Sequence, residues 1–308
     1  MYVLTLKTLE NGYWQAGILP DTGASIAYGR VRMGDQWIDV LRPTAPADYG
    51  NASLTASFIM LPWCNRIRDG VLRFDGQAYQ LQTAPEDGTA RHGDVRGRSW
   101  TADLSSPTAI SLSFDSAAHE DVNFPFRFSA RAEYTLDRSR FRWRLSLKNE
   151  DSQPFPAGFG YHPYFVRPAD QPAPQVTIPC EAAFELTDYL ADAPPVPVTP
   201  QFDFREPRPL DDSERNDLLT RRIDDLPARI AYPAYNLELR MSADPIFEHI
   251  LLYAPKGKPF FAVEPMTNAN DGFNLRERGI DGSGVFVLQP GEEVSGEVVI
   301  EALEIGIA

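Results

Sequence analysis

The sequence predicts an all-β protein, most simply a large antiparallel β-sandwich. Three observations predict it. Apolar side chains recur at every second residue over several long stretches. No stretch carries a long helical stripe. And 27 prolines and 21 glycines punctuate the whole length of 308 residues. Alternation at period two gives a strand one buried and one wet face, the usual pattern of antiparallel sheets. Frequent Pro and Gly supply the turns that many short strands need.

The elements follow in order. Leu72-Arg73-Phe74 and Tyr79-Gln80-Leu81 flank Asp75-Gly76. That dipeptide signals a type I′ hairpin, because both central residues need a positive φ. Phe126, Phe128, Ala130 and Ala132 alternate with Arg127, Ser129, Arg131 and Glu133. Phe141, Trp143, Leu145 and Leu147 alternate with Arg142, Arg144, Ser146 and Lys148. Asp137-Arg138-Ser139-Arg140 between them reads as a hairpin loop. Residues 167–200 are rich in proline and form either a linker or a long ordered excursion over a site. Residues 211–219 read as a short helix or turn. Tyr235, Leu237, Leu239 and Met241 mark another strand, and residues 294–305 a last one. The strand pattern resumes on both sides of the proline-rich stretch without a break in composition. A single domain over residues 1–308 is therefore expected, although the length also suits two ordinary domains.

Composition narrows the partners. The formal net charge is −14, whereas a broad nucleic-acid or anionic-membrane surface needs clustered cations. The two cysteines, Cys64 and Cys180, make neither a disulfide framework nor a thiolate metal site. Two free thiols suit a reducing compartment. Residues 1–7 lack the pattern of a signal peptide, and no run of about 18 apolar residues occurs. A soluble cytoplasmic protein, monomer or homodimer, is the expectation.

Four segments carry candidate chemistry. Gly158-Phe159-Gly160-Tyr161-His162-Pro163-Tyr164-Phe165 holds one of only four histidines. Pro163 biases His162 toward extended backbone, and the aromatics offer flat apolar surface of the kind that faces a sugar ring. Such a histidine either exchanges a proton near neutral pH or is a buried one satisfied by a carbonyl. Asn65 and Arg66, in Leu61 to Gly70, offer donors for a hydroxyl or carboxylate, or for loop carbonyls. Arg91-His92-Gly93-Asp94-Val95-Arg96-Gly97-Arg98 reads as a polar loop. Glu264 ends the apolar run Phe260-Phe261-Ala262-Val263. Partial desolvation there raises a carboxylate toward the range useful to a general base, although a salt-bridged strand end fits as well.

Asn65-Arg66, His92-Gly93, His162-Pro163-Tyr164-Phe165 and Glu264 stand in the order found in aldose 1-epimerases, the galactose mutarotase group. The chain resembles that family from Leu19-Pro20-Asp21-Thr22-Gly23-Ala24 to Pro290-Gly291-Glu292-Glu293. The resemblance implies a galactose mutarotase-like supersandwich, no cofactor and no metal, and interconversion of the α and β anomers of an aldose. It implies His162 as the general acid at the ring oxygen and Glu264 as the general base at the C1 hydroxyl. Asn65, Arg66 and His92 match residues that hold sugar hydroxyls, and Asp217 matches a substrate-binding aspartate. The family's phenylalanine shortly after that aspartate and a glutamine upstream of the base are not evident. Independently, mutarotation needs only an acid and a base, which a His and a Glu supply.

Three alternatives stand beside this reading. A hexose 6-phosphate mutarotase would use Arg91, Arg96 and Arg98, or Arg66 and Arg68, for the phosphate. A glycosidase would pair Glu264 with an aspartate. A noncatalytic carbohydrate-binding protein would use Trp63, Trp100, Tyr161 and Tyr164 as platforms. A free hexose is the expected substrate, because no glycine-rich phosphate cradle is present.

Overall fold

The computed structural model describes residues 4–223 and 226–305. Two large antiparallel sheets make the fold. The first runs Lys7–Glu10, Trp14–Leu19, Ser25–Met33, Gln36–Leu41, Tyr164–Val166, Phe260–Met266, His249–Ala254, Arg215–Arg222, Cys180–Phe184 and Val196–Pro197 in spatial order. The short strands Gly160–Tyr161 and Ile59–Met60 attach to its centre. The second runs Thr101–Ser105, Ala109–Asp115, Phe128–Asp137, Arg140–Asn149, Glu293–Glu304, Leu237–Ala243, Ala228–Tyr232, Gln175–Ile178 and Phe204–Pro209.

The alternation read from the sequence decides what meets between the sheets. Phe141, Trp143, Leu145 and Leu147 are buried, while Arg142 and Arg144 pair outward with Glu297 and Ser295. Trp14 of the first sheet meets Phe141 of the second at 5.6 Å between ring centroids, and Trp143 meets Tyr161 at 5.3 Å. Rings at this spacing add to the burial of their area. A second apolar cluster, including Phe58, Met60, Cys64, Tyr164, Leu218, Leu251 and Met266, lies apart from the main one. Loops and the short helix Gly272–Glu277 contribute Ala52 and Leu275 to it.

Several expectations hold in detail. Val71–Phe74 and Gln77–Gln80 pair around Asp75 and Gly76, whose φ values are 50° and 73°. Phe128–Asp137 and Arg140–Asn149 form the expected hairpin, and the last strand is Glu293–Glu304. Phe126 precedes its strand and joins an aromatic cluster with Phe124 and Phe155. Tyr235 sits in a 3-10 turn, so that strand starts at Leu237.

The proline-rich stretch is ordered. Gln175–Ile178 lies in the second sheet and Cys180–Phe184 in the first, so the chain crosses between layers at Pro179. The reading of residues 211–219 as a helix or turn is corrected. Residues 215–219 belong to the strand Arg215–Arg222. Ladder pairing to Cys180–Phe184 and His249–Ala254 on its two sides overrides the weak local signal of Asp211-Asp212-Ser213. Among the described residues no helix is long and apolar enough to cross a membrane.

Candidate active site

Register builds the centre of the site. Gly160 pairs with Met266, and Tyr164 pairs with Ala262. Two residues in from each, His162 falls opposite Glu264. Side chains alternate along a strand, so both project to the same face. His162 Nε2 lies 3.1 Å from Glu264 Oε1, and both side chains are almost wholly buried. Pro163 ends the ladder between the two pairings. The backbone of His162 instead donates to the Phe58 carbonyl at 3.0 Å. Gly160 is required for the approach: a Cβ there would lie 2.6 Å from the Pro265 carbonyl and 2.8 Å from Cys64 Sγ.

The pair is close but not satisfied. Neither Glu264 oxygen has a hydrogen-bond partner, and His162 Nδ1 has none either. Buried polar atoms without partners are rare and mark sites that hold them open for something else. Burial pushes the Glu264 carboxyl well above the ordinary carboxylate range, with Arg66 acting the other way. Burial, with Arg42 next, pushes His162 well below the ordinary histidine range. Both groups are thus driven toward their neutral forms. A neutral carboxyl beside a neutral imidazole holds the same protons as a carboxylate beside an imidazolium, so one proton transfer interconverts them.

Aromatic rings wall the pair. His162 packs against Phe58 and Tyr164 at centroid distances of 4.6 Å and 4.5 Å, and those two rings lie 6.4 Å from each other. His92 meets His162 edge-on at 5.3 Å, and its Nδ1 lies 3.1 Å from Met60 Sδ. The loops carrying His92 and Asn65 lock together, since His92 N–H donates to the Asn65 carbonyl at 2.7 Å. Both residues have positive φ, 58° and 53°. Arg66 follows, held by Asp87 at 2.9 Å and by Asn65 Oδ1 at 3.1 Å. Its guanidinium lies 4.7 Å from the ring centroid of Tyr189.

Asn65, Arg66, His92, His162 and Glu264 are therefore brought together. Asp217 is not. It pairs with Leu252, which pairs with Val263, one residue out of step with the line Leu218, Leu251 and Glu264. A one-residue offset in a strand reverses the face. Asp217 thus points to the opposite side of the sheet, beside Arg215 at 3.4 Å. Its neighbour Asn216 shares the face of Tyr253 and Ala262, and hence of Glu264. The segment's misreading as helix or turn concealed this parity.

Sequence reasoning also missed Phe58, Arg42 and Tyr189. Phe58 gave no signal, being one of 18 phenylalanines. Tyr189 lies at the tip of the hairpin formed by Leu186–Thr187 and Leu190–Ala191, inside the proline-rich stretch suspected of crossing a site. Asn270 Nδ2 donates to its carbonyl at 2.8 Å and ties that tip to the loop after Glu264.

Gly93 provides a test of the loop geometry. Its φ is +69°, and a Cβ would collide with the Leu61 carbonyl. Gly93→Ala is expected to cost at least about 1–3 kcal/mol of stability and to displace His92. Urea unfolding read beside a sugar-binding titration checks it. A variant unchanged in both would show that the loop yields freely.

Two large antiparallel sheets with a buried, facing His–Glu pair walled by aromatic rings define the class of β-protein to which the chain is compared. The comparisons give the membership. The chain belongs to the aldose 1-epimerase family, whose model matches residues 6–301. The uncharacterized protein YphB of Escherichia coli (strain K12) is 26% identical over 306 residues, covering 96% of this chain and 98% of that protein. A galactose mutarotase-like protein from Clostridium acetobutylicum superposes with a TM-score of 0.85 at 18% identity, covering 98% of this chain and 99% of that one. A GalM/aldose epimerase homologue from C. elegans gives 0.84 at 19% identity, covering 98% and 100%. At these identities the solved structures establish a common fold.

Proposed function

We propose that the protein is an aldose 1-epimerase that interconverts the α and β anomers of an aldopyranose. The observation that carries this reading is the His162–Glu264 pair: facing, buried, 3.1 Å apart and without other partners for the carboxyl. The two oxygens that change protonation in mutarotation, the ring oxygen and the C1 hydroxyl, are bonded to the same carbon. An acid and a base side by side on one sheet face match that spacing.

In the reaction Glu264, as carboxylate, takes the C1 hydroxyl proton while the His162 imidazolium donates to the ring oxygen. The C1–O5 bond breaks, and its electron pair takes up the donated proton. C1 becomes an aldehyde. The pair is left as carboxylic acid and neutral imidazole, its other one-proton arrangement. Rotation about C1–C2 presents either face of the carbonyl, and closure reverses both transfers. The pair returns to its starting state without exchanging protons with solvent. The same observation disfavours a glycosidase, which requires a second carboxylate where this site has an imidazole.

The pH dependence follows from coupled titration. The active pair carries one proton. A second proton would add positive charge in a buried site, so the acid limb of kcat/KM should lie below the ordinary histidine value of 6.5. Loss of the last proton would leave a buried carboxylate, so the alkaline limb should lie above the ordinary carboxylate value of 4.5. An NMR anomer-exchange profile measures both limbs. An acid limb with its midpoint above 6.5 would contradict the shared-proton account. The function itself is tested by polarimetry or NMR across a panel of aldoses, where no acceleration with any aldose would remove it.

A further inference from the structure

Most arginines around the site are neutralised. Arg66 is held by Asp87, Arg91 by Glu86 and Asp87, Arg98 by Asp94 and Asp121, and Arg68 by Asp192 and Asp271. Two are not. Among the described residues, neither Arg42 nor Arg96 has a carboxylate within ion-pair distance.

These two cations converge. Arg42 donates to the Ser53 carbonyl at 3.0 Å, and Arg96 to the Ser53 hydroxyl at 3.4 Å. Arg42 also donates to the Thr55 carbonyl, while its buried Nε has no partner. The Arg42 guanidinium lies 3.8 Å from the centroid of Tyr164, and that of Arg96 lies 5.4 Å from the centroid of Phe58. Those rings pack against His162, so the two guanidiniums stand beside the acid–base pair. Each of these half-buried charges loses hydration, and Arg91 adds like-charge repulsion at Arg96. Burial accordingly lowers the pKa of both arginines. Carbonyls and ring faces only partly offset this, whereas a bound anion would offset it directly.

From this convergence we infer that the substrate is an aldose bearing an anionic substituent, held by Arg42 and Arg96 while its anomeric centre faces His162 and Glu264. The inference rests on the mutarotase reading and narrows it. It reverses the expectation of a neutral hexose. It also selects among the arginines weighed from sequence, since Arg91, Arg98, Arg66 and Arg68 are already paired. A carboxylate and a phosphate present the same chemistry to two guanidiniums, so both are tested.

The experiment measures anomer exchange by NMR for glucose, glucuronate and glucose 6-phosphate at low and high salt, with calorimetric binding of the two anions. One anionic sugar is expected to exceed glucose in kcat/KM by about ten- to a hundredfold, the scale of charge-assisted hydrogen bonds. Whichever anion leads identifies a carboxylate or a phosphate as the group recognised. The preference should shrink at high salt. Arg96→Gln should reduce it by about tenfold, and Arg96→Lys should restore part of it. If glucose is turned over as well as or better than both anions, the inference fails and the mutarotase reading stands. Anions that bind without any aldose being exchanged would sink the mutarotase reading and leave the anion site. Neither binding nor exchange would end both.

Discussion

Glu264→Gln should lose most anomer exchange and become more stable at the same time. The amide keeps the side chain's shape but cannot take the C1 hydroxyl proton. Loss of a general base costs about 10²–10⁴ in rate. The stability gain follows from linkage. The folded-state pKa of Glu264 is raised above 4.5 by burial. Below the unfolded value both states bind the proton and the glutamate costs nothing. As pH rises from there toward the folded value, unfolding releases a proton that folding must recover, so wild-type stability declines. Gln carries no such cost. The gap in melting temperature between variant and wild type should open above pH 4.5 and widen as pH rises toward the folded-state value. Calorimetric melts at several pH values, run beside exchange rates, check both halves. A folded Glu264→Gln protein with near-normal exchange would place the base elsewhere.

His162→Asn should cut kcat by a comparable factor, with a smaller change in KM. The imidazole proton is needed where charge develops on the ring oxygen, which is a property of the transition state. Because one proton serves both residues, the defects should not add. The double variant with Glu264→Gln should be about as slow as the slower single variant, as with residues acting as one unit. Multiplying defects would refute the shared proton, and a rise in KM alone would make His162 a binding residue.

The strand framework was legible because alternation is local: Phe141 to Leu147 states its two faces in seven consecutive residues. The His162–Glu264 pair was legible for a related reason. His162 and Glu264 sit in short segments whose composition is unusual in itself, and their order matched a known family. Asp217 was misplaced because its face depends on the pairing of three strands, Arg215–Arg222, His249–Ala254 and Phe260–Met266, which is not local. Arg42 was invisible for another reason. Arginine at the end of an ordinary strand says nothing until Tyr164 and Ser53 arrive from elsewhere in the chain. Arg96 was noticed among its neighbours, but only the structure separated it from Arg91 and Arg98 by showing which had found a carboxylate.

The chemistry and the recognition in this site rest on different kinds of backbone. His162 and Glu264 face each other through strand register, whereas Asn65, His92, Arg96 and Tyr189 are presented by turns and loops. Insertions and deletions should divide accordingly. Removing one residue between Gly160 and Tyr164 would turn later side chains to the wrong face and erase turnover. Lengthening the hairpin tip at Asp188 and Tyr189 would leave the pair untouched and change only what fits above it. In the proposed mutarotase, loop exchange would therefore alter which substrate is held while the register-set His162–Glu264 pair stays in place.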